Sequence, residues 1–143
     1  MKLSDVMTRK VFTLNPDSSI REVANQMKEL NVGAIPIVDK EKPVGIITDR
    51  DIVLRTISLD KDPLKAKATD VMSGDLVFGT PEMDVDDAAA LMSRYQIRRL
   101  PVIENNKLVG IVSLGDLAAN PHFADEAGDA LSDISTPAGP DLQ

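Results

Sequence analysis

The stretch Gly45-Ile46-Ile47-Thr48-Asp49-Arg50-Asp51 returns 65 residues later as Gly110-Ile111-Val112-Ser113-Leu114-Gly115-Asp116. In both copies a glycine, two apolar residues, a hydroxyl residue and an aspartate fall at the same spacing. The same offset aligns Asp5-Val6-Met7-Thr8 with Asp70-Val71-Met72-Ser73, and Pro16, Met27 and Pro36 with Pro81, Met92 and Pro101, without a gap. Roughly a quarter of the aligned positions are identical, against the ~5–6% that ordinary amino-acid frequencies give by chance. The chain is therefore an internal duplication. Its copies span 3–59 and 68–119, joined by a charged, proline-containing linker at 60–67. An acidic tail, 120–143, has no partner repeat.

Each copy predicts the same series of elements. Val11-Phe12-Thr13-Leu14 is a short strand stopped by Asn15-Pro16. Ser19 is a helix N-cap, with Glu22 completing a capping box. Ile20, Val23, Ala24, Met27 and Leu30 share one helical face, and Asn31 and Gly33 end the helix. Ile35–Val38 and Val44–Thr48 are strands around a polar turn, and Arg50–Ile57 is a second helix. In the second copy Leu76-Val77-Phe78 is the strand, Asp84 the cap, and Val85, Ala88, Ala89 and Met92 the buried face. Two strands then flank Glu104-Asn105-Asn106-Lys107. The expected fold is α/β (α+β): two β-α-β-β-α repeats related by a pseudo-twofold and packed sheet to sheet. One unit of about 50–55 residues buries too little apolar surface to stand alone.

Composition narrows the chemistry. The 143 residues include no Cys, no Trp and one His. That removes disulfides, thiolate zinc sites and thiol nucleophiles, and leaves almost no material for a Ser-His-Asp triad. Aromatics are 3%, too few to stack single-stranded nucleic acid. Net charge is −7, which repels nucleic acid and anionic membrane, and no apolar run reaches bilayer length. The expectation is a non-enzymatic, cytoplasmic protein with no nucleic-acid or membrane partner. The four methionines Met7, Met27, Met72 and Met92 read as core filler. Asp84, Asp86 and Asp87 read as a helix N-terminus rather than a metal site. In the tail, Ala124, Ala127, Leu131 and Ile134 form a helical stripe. His122 is expected in solvent and Ser135–Pro140 disordered.

The paired motifs, with Gly33-Ala34-Ile35-Pro36-Ile37-Val38-Asp39 and Arg98-Arg99-Leu100-Pro101-Val102-Ile103-Glu104, resemble a tandem pair of cystathionine-β-synthase-type (CBS) domains, a Bateman module of the stand-alone type. The resemblance covers about residues 3–119. It implies a regulatory sensor that binds an adenosine-containing ligand (AMP, ADP, ATP or S-adenosylmethionine) in clefts between the repeats. It also implies that each cleft takes its hydroxyl residue and Asp from one repeat and much of its base pocket from the other. One site would then combine Thr48 and Asp51 with Ser73, Leu76 and Arg98 or Arg99. The other would combine Ser113 and Asp116 with Thr8, Val11, Ala34 and Ile35. No cofactor is required. The adenine nucleotide is a ligand, and a polyphosphate would carry Mg²⁺ with it. The alternative is a structural interaction module with empty clefts.

The residue types suit the task. An ionised carboxylate can accept from both hydroxyls of a ribose. Hydroxyls and amides at a helix start donate well to phosphate. Gly45 and Gly110 lack a Cβ, which lets a ligand or another backbone come close. Read without the family, Thr48, Asp51, Ser113 and Asp116 are helix caps. Arg98 and Arg99 are two of only four basic residues from Asp70 onward, against thirteen acidic ones. They are phosphate candidates or solvated ion-pair formers. Arg50 is a second cationic candidate. Ile52, Val53, Ile57, Leu114 and Leu117 are more apolar than a free surface requires, which predicts an interface. The resemblance implies a twofold homodimer in the form of a flat disc, signalling through dimer geometry or through an unidentified protein partner.

Overall fold

The computed structural model describes residues 1–119 and 124–135. The readings of His122 and of the segment after Ser135 lie outside them. The elements are α1 (Leu3–Val6), α2 (Ile20–Leu30), β1 (Ala34–Asp39), β2 (Lys42–Thr48), α3 (Asp49–Ile52), α4 (Ala68–Val71), α5 (Val85–Tyr95), β3 (Arg99–Glu104), β4 (Lys107–Ser113), α6 (Leu114–Ala119) and α7 (Ala124–Ser135). Mixed helix and strand content surrounds two small antiparallel sheets, β1–β2 and β3–β4. Among the described residues no helix is long and apolar enough to cross a membrane.

The chain forms two compact units. The first comprises Phe12–Leu76 with Asn106–Leu108, and the second Met1–Val11, Val77–Asn105 and the described residues from Val109 to Ser135. The leading segment of each repeat is thus exchanged onto the body of the other. In the second unit the Leu3 amide donates to Met83 O (2.9 Å), the Ser4 amide to Pro81 O (3.1 Å) and the Val85 amide to Met1 O (3.0 Å). In the first unit the Ala68 amide donates to Ser18 O (2.8 Å), the Thr69 amide to Pro16 O (3.1 Å) and the Ile20 amide to Ala66 O (3.0 Å). Each bond in one set has its counterpart 65 residues away in the other. The repeated aspartates serve this junction: Asp5 accepts from the Lys2 amide (3.0 Å) and Asp70 from the Lys67 amide (3.1 Å). Lys2 also pairs with Glu82, whose hydrogen bond and charge raise the pKa of its ammonium, and Lys67 pairs with Asp17.

Each core follows from this exchange. Ala68 and Val71 are buried with Ile20, Val23, Met27, Ile35, Ile37 and Ile47 in the first unit. Leu3 is buried with Val85, Ala88, Met92, Leu100, Val102 and Val112 in the second. The strand expected at Val11–Leu14 shrinks to one bridge, Leu14 on Ile37, and the one expected at Leu76–Phe78 is not formed, the matching bridge falling on the next residue, Gly79 on Val102. Pro16 follows Leu14 closely, and only Leu14 exchanges bonds with β1, donating to Pro36 O and accepting from the Val38 amide. The side of β1 that pairs with Leu14 is also the side where Pro36 lacks an N–H, so no bond to β2 is lost there.

The helices depart from expectation in detail. Ser19 accepts from the Glu22 amide (3.1 Å), which is the hydroxyl half of a capping box. Asp84 holds the N-cap position of α5 without a side-chain bond. Asn31 and Gln96 end α2 and α5 in the left-handed region, at φ 53° in both. Ala24 and Leu30 are exposed, whereas all four residues expected to be buried on α5 are. The helix expected over Arg50–Ile57 is α-helical only to Ile52 and π-helical over Val53–Ile57. The tail stripe forms α7, which packs on α5 and α6. Its buried residues are Ala127 and Ala130, with Ile134 beside them, while Leu131 is exposed.

The exchanged segments run hard against two glycines. A Cβ on Gly45 would lie 2.7 Å from Met72 Sδ and 2.8 Å from Ser73 O. A Cβ on Gly110 would lie 2.6 Å from Met7 Sδ and 3.0 Å from Thr8 O. The close neighbours foreseen for these glycines are therefore a methionine side chain and a backbone carbonyl. Overpacking of this kind costs about 1–3 kcal/mol. Gly45→Ala and Gly110→Ala should each lower stability by that amount in urea unfolding. Gly74→Ala, with nothing within 4 Å, should stay within about 0.5 kcal/mol of the wild type.

Candidate functional site

In the first unit Thr48 ends β2 and caps α3. Its Oγ1 accepts from the Asp51 amide at 3.1 Å, and Asp51 Oδ2 accepts from the Thr48 amide at 3.0 Å. Both residues are half-buried. The capping reading of this pair is correct as local structure, and it fixes where the carboxylate stands. One bond to the Thr48 amide leaves most of the acceptor capacity of Asp51 unused. Asp49 turns the chain here: its amide donates to Gly33 O (3.0 Å) and its carboxylate accepts from the Arg50 amide (2.8 Å). Arg50 itself is exposed.

Ser73 lies beside this strand end. Its amide donates to Ile46 O at 3.1 Å and its carbonyl accepts from the Ile46 amide at 3.4 Å, two residues before Thr48. Leu76, half-buried, closes the same segment. The structure thus gathers Thr48, Asp51, Ser73 and Leu76 within one unit. Ala34 and Ile35 pair with Thr48 and Ile47 across the hairpin, and Ile35 is sealed in the core of this unit. What Ile35 offers at a surface is backbone.

The second unit repeats the arrangement with differences. Ser113 Oγ accepts from the Asp116 amide at 3.0 Å. The reciprocal bond, donated by the amide of the strand-end residue to the carboxylate, is made in the first unit only, among the described residues, and Asp116 is exposed. Thr8 exchanges two bonds of 2.9 Å with Ile111, as Ser73 does with Ile46. Val11 follows it, half-buried. Arg98 is exposed, and its carbonyl accepts from the Leu114 amide (2.9 Å), the place Gly33 holds opposite Asp49. Arg99 opens β3 and is half-buried, so the two arginines differ in exposure. A shallow depression lined by Met1, Asp84, Val85 and Asp86 includes none of the motif residues. Among the described residues no cluster of His, Asp or Glu could hold a metal ion.

One participant is invisible to sequence reasoning. Arg55, on the π-helical turn, donates from Nη1 to Val71 O at 3.0 Å and reaches Met72 O at 3.5 Å. It ties the turn to the segment that carries Ser73. A lone arginine on a polar helix face gives no signal of such a role.

The apolar residues expected at an interface divide. Leu114 is 6% and Leu117 1% exposed, because α7 closes over α6 and both join the core of the second unit. Ile52 is half-buried against its own core. Val53 and Ile57 are exposed, and so is Leu54.

The CBS domain family model matches residues 3–57 and 68–121. The CBS domain-containing protein YhcV of Bacillus subtilis is 48% identical over 133 residues, covering 93% of this chain and 94% of that protein. A conserved CBS domain protein of Thermoplasma acidophilum superposes with a TM-score of 0.84 at 26% identity, over 95% of this chain and 77% of that one. The CBS domain pair of protein MJ0100, in complex with 5-methylthioadenosine and S-adenosyl-L-methionine, superposes with a TM-score of 0.76 at 29% identity, over 83% and 94%.

The reciprocal cap predicts coupling between its members. Thr48→Ala should cost about 0.5–2 kcal/mol. A double-mutant cycle of Thr48→Ala with Asp51→Ala should show an interaction above ~0.5 kcal/mol, and the cycle of Ser113→Ala with Asp116→Ala a smaller one. Urea unfolding of the two series checks this.

Proposed function

This chain belongs to the CBS domain family, and we propose that it is a sensor which binds an adenosine-containing ligand and performs no chemistry on it. The observation that carries the reading is the recurrence, in both units, of one local construction. A strand ends in Thr48 or Ser113, an aspartate follows in the first turn of the next helix, and the exchanged Ser73 or Thr8 stands beside the strand. The hydroxyls and amides suit a phosphate or another anionic group. Asp51 and Asp116 suit a ribose diol. That the pair of MJ0100 is found with two adenosyl compounds supports this class of ligand.

The two sites are unequal. Of the candidate phosphate cations Arg98, Arg99 and Arg50, only Arg50 belongs to the unit that holds Asp51, and with it the Asp51 site is the one suited to a polyphosphate carrying Mg²⁺. The matching position in the second repeat is the neutral Gly115. Binding in the cytoplasm would be read out through a homodimer or a partner protein, with no nucleic acid or membrane involved. The exposed Val53, Leu54 and Ile57 are the homodimer surface.

Titration with AMP, ATP and S-adenosylmethionine tests the reading. A binder at 100 times its dissociation constant raises stability by about 2.7 kcal/mol. Asp51→Ala should weaken binding by about 1–3 kcal/mol in calorimetry. Unchanged affinity in both Asp51→Ala and Asp116→Ala sinks the site. Absence of any thermal shift with all three compounds favours the interaction module with empty clefts. The change Arg50→Ala should abolish any preference for ATP over adenosine. A preference that survives moves the phosphate contact to another cation, Arg98 or Arg99 first.

A further inference from the structure

The exchanged segment sits more loosely on its strand in the first unit than in the second. Ser73 and Ile46 exchange bonds of 3.1 and 3.4 Å, where Thr8 and Ile111 exchange two of 2.9 Å. Just beyond Ser73, a Cβ on Gly74 would meet nothing within 4 Å, so the chain has no side-chain anchor there. What the first unit has in addition is Arg55. Its Nη1 donates to Val71 O at 3.0 Å and reaches Met72 O at 3.5 Å, on the two residues just before Ser73. These carbonyls close α4, and the end of a helix is where carbonyls lack intrahelical donors and a cation is favoured. One guanidinium can serve both, because its donors are arranged in a fork. Position 120, which aligns with Arg55 in the second repeat, is the shorter and uncharged Asn.

Arg55 reaches these carbonyls from a turn that is unfavourable in itself. Val53–Ile57 is π-helical, with the Ser58 amide donating to Val53 O at 2.9 Å. Such a turn takes in an extra residue and re-aims the side chains that follow, and it is found mostly at functional sites. Burial in it is inverted. Thr56 is fully buried, and its hydroxyl has no hydrogen-bond partner among the described residues. Val53, Leu54 and Ile57 around it are 47–57% exposed. An unpaired buried hydroxyl and three exposed apolar side chains are local losses. Where such losses persist together, the local structure serves something besides stability.

We propose that Arg55 is the positioning residue of the Asp51 site: by gripping the Val71 and Met72 carbonyls it holds Ser73 beside the strand that ends in Thr48. The proposal rests on the ligand-binding reading of that site and adds what keeps it assembled. The bridge to Ile46 alone holds Ser73 weakly, and the π turn is what delivers the guanidinium. Thr8 is held by its own shorter bridge and needs no such grip. The first site thus depends on a side chain that the second does without.

Amide hydrogen exchange on the full chain tests this without any ligand. In Arg55→Ala the amides of Ser73 and Ile46 should exchange at least ~10-fold faster, the scale of losing hydrogen bonds to a charged group. Those of Thr8 and Ile111 should stay within about twofold of the wild type, as for a distant surface change. Arg55→Lys keeps the charge and loses the fork, so it should restore part of the protection. If Arg55→Ala does not fold, Arg55→Gln takes its place in the comparison. An unchanged Ser73 amide overturns the proposal. So does a loss spread evenly over the first unit, the Val23 and Val38 amides included, because that is plain destabilisation. Titration with ATP, and separately with S-adenosylmethionine, followed at the amides of Thr48–Asp51 and Ser113–Asp116, then reads the two sites apart. Arg55→Ala should weaken binding at the first by about tenfold or more and leave the second within about twofold. Equal weakening at both sites, or none at the first, overturns the positioning role. A wild type that binds neither compound removes the ligand-binding reading and the site role with it, while the exchange pattern still decides whether Arg55 holds Ser73.

Discussion

The approach of one backbone to a glycine on a neighbouring strand is the contact on which each unit depends. Met72 and Ser73 press on Gly45, and Met7 and Thr8 press on Gly110, at distances that leave no room for a methyl group. The bridges between Ser73 and Ile46 and between Thr8 and Ile111 form only because that approach is allowed. They add a rim to the β2 and β4 sides of two sheets that would otherwise have two strands each. They also hold the hydroxyl residues Ser73 and Thr8 beside Thr48 and Ser113. The exchange of leading segments is thus an arrangement of the core and of the candidate site at once. Leu3, Ala68 and Val71 anchor it by burial, and Asp5 and Asp70 anchor it by capping.

Duplication does not make the units equal. In the first, Asp51 is held by the Thr48 amide, and Gly33 stands opposite Asp49. In the second, Asp116 is exposed, and Arg98 takes the place of Gly33. The helices diverge as well. Leu117 is sealed under α7, whereas its counterpart Ile52 remains half-buried and leads into the exposed π-helical turn. A second copy freed from duplicating the first has gained a cover, and the first has kept an open apolar face with basic neighbours. These asymmetries give one chain two different candidate sites and two different outer surfaces.

Much of this was legible in the sequence because it is local or periodic. The 65-residue offset identified the repeat, apolar runs on either side of a polar turn located the hairpins, and the spacing of Val85, Ala88, Ala89 and Met92 named the buried face of α5. The two glycines were legible as points of close approach, though a sequence cannot say whether backbone or ligand arrives there. Non-local features were hidden. Val11–Leu14 and Leu76–Phe78 read as strands by composition, yet only Leu14 and the following Gly79 pair with a sheet. Ala24 reads as buried by period, yet it is exposed, while its counterpart Ala89 is buried on α5, the helix that α7 packs against. Leu114 and Leu117 read as interface because the stripe on α7 gave no hint of which surface it would cover. The reach of Arg55 to Val71 and Met72 depends on a fold that brings together residues sixteen and seventeen positions apart.

The central claim is that each strand end, its capping aspartate and the exchanged serine or threonine beside it form one binding surface for an adenosyl ligand. Amide chemical-shift mapping of the full ¹⁵N-labelled chain during titration with ATP, and separately with S-adenosylmethionine, tests it directly. The account predicts that the largest shifts fall together on Thr48–Asp51 and Ser73–Leu76, or together on Ser113–Asp116 and Thr8–Val11. Saturable shifts confined to other residues, or movement of the motif amides without those of the exchanged segment, would contradict it.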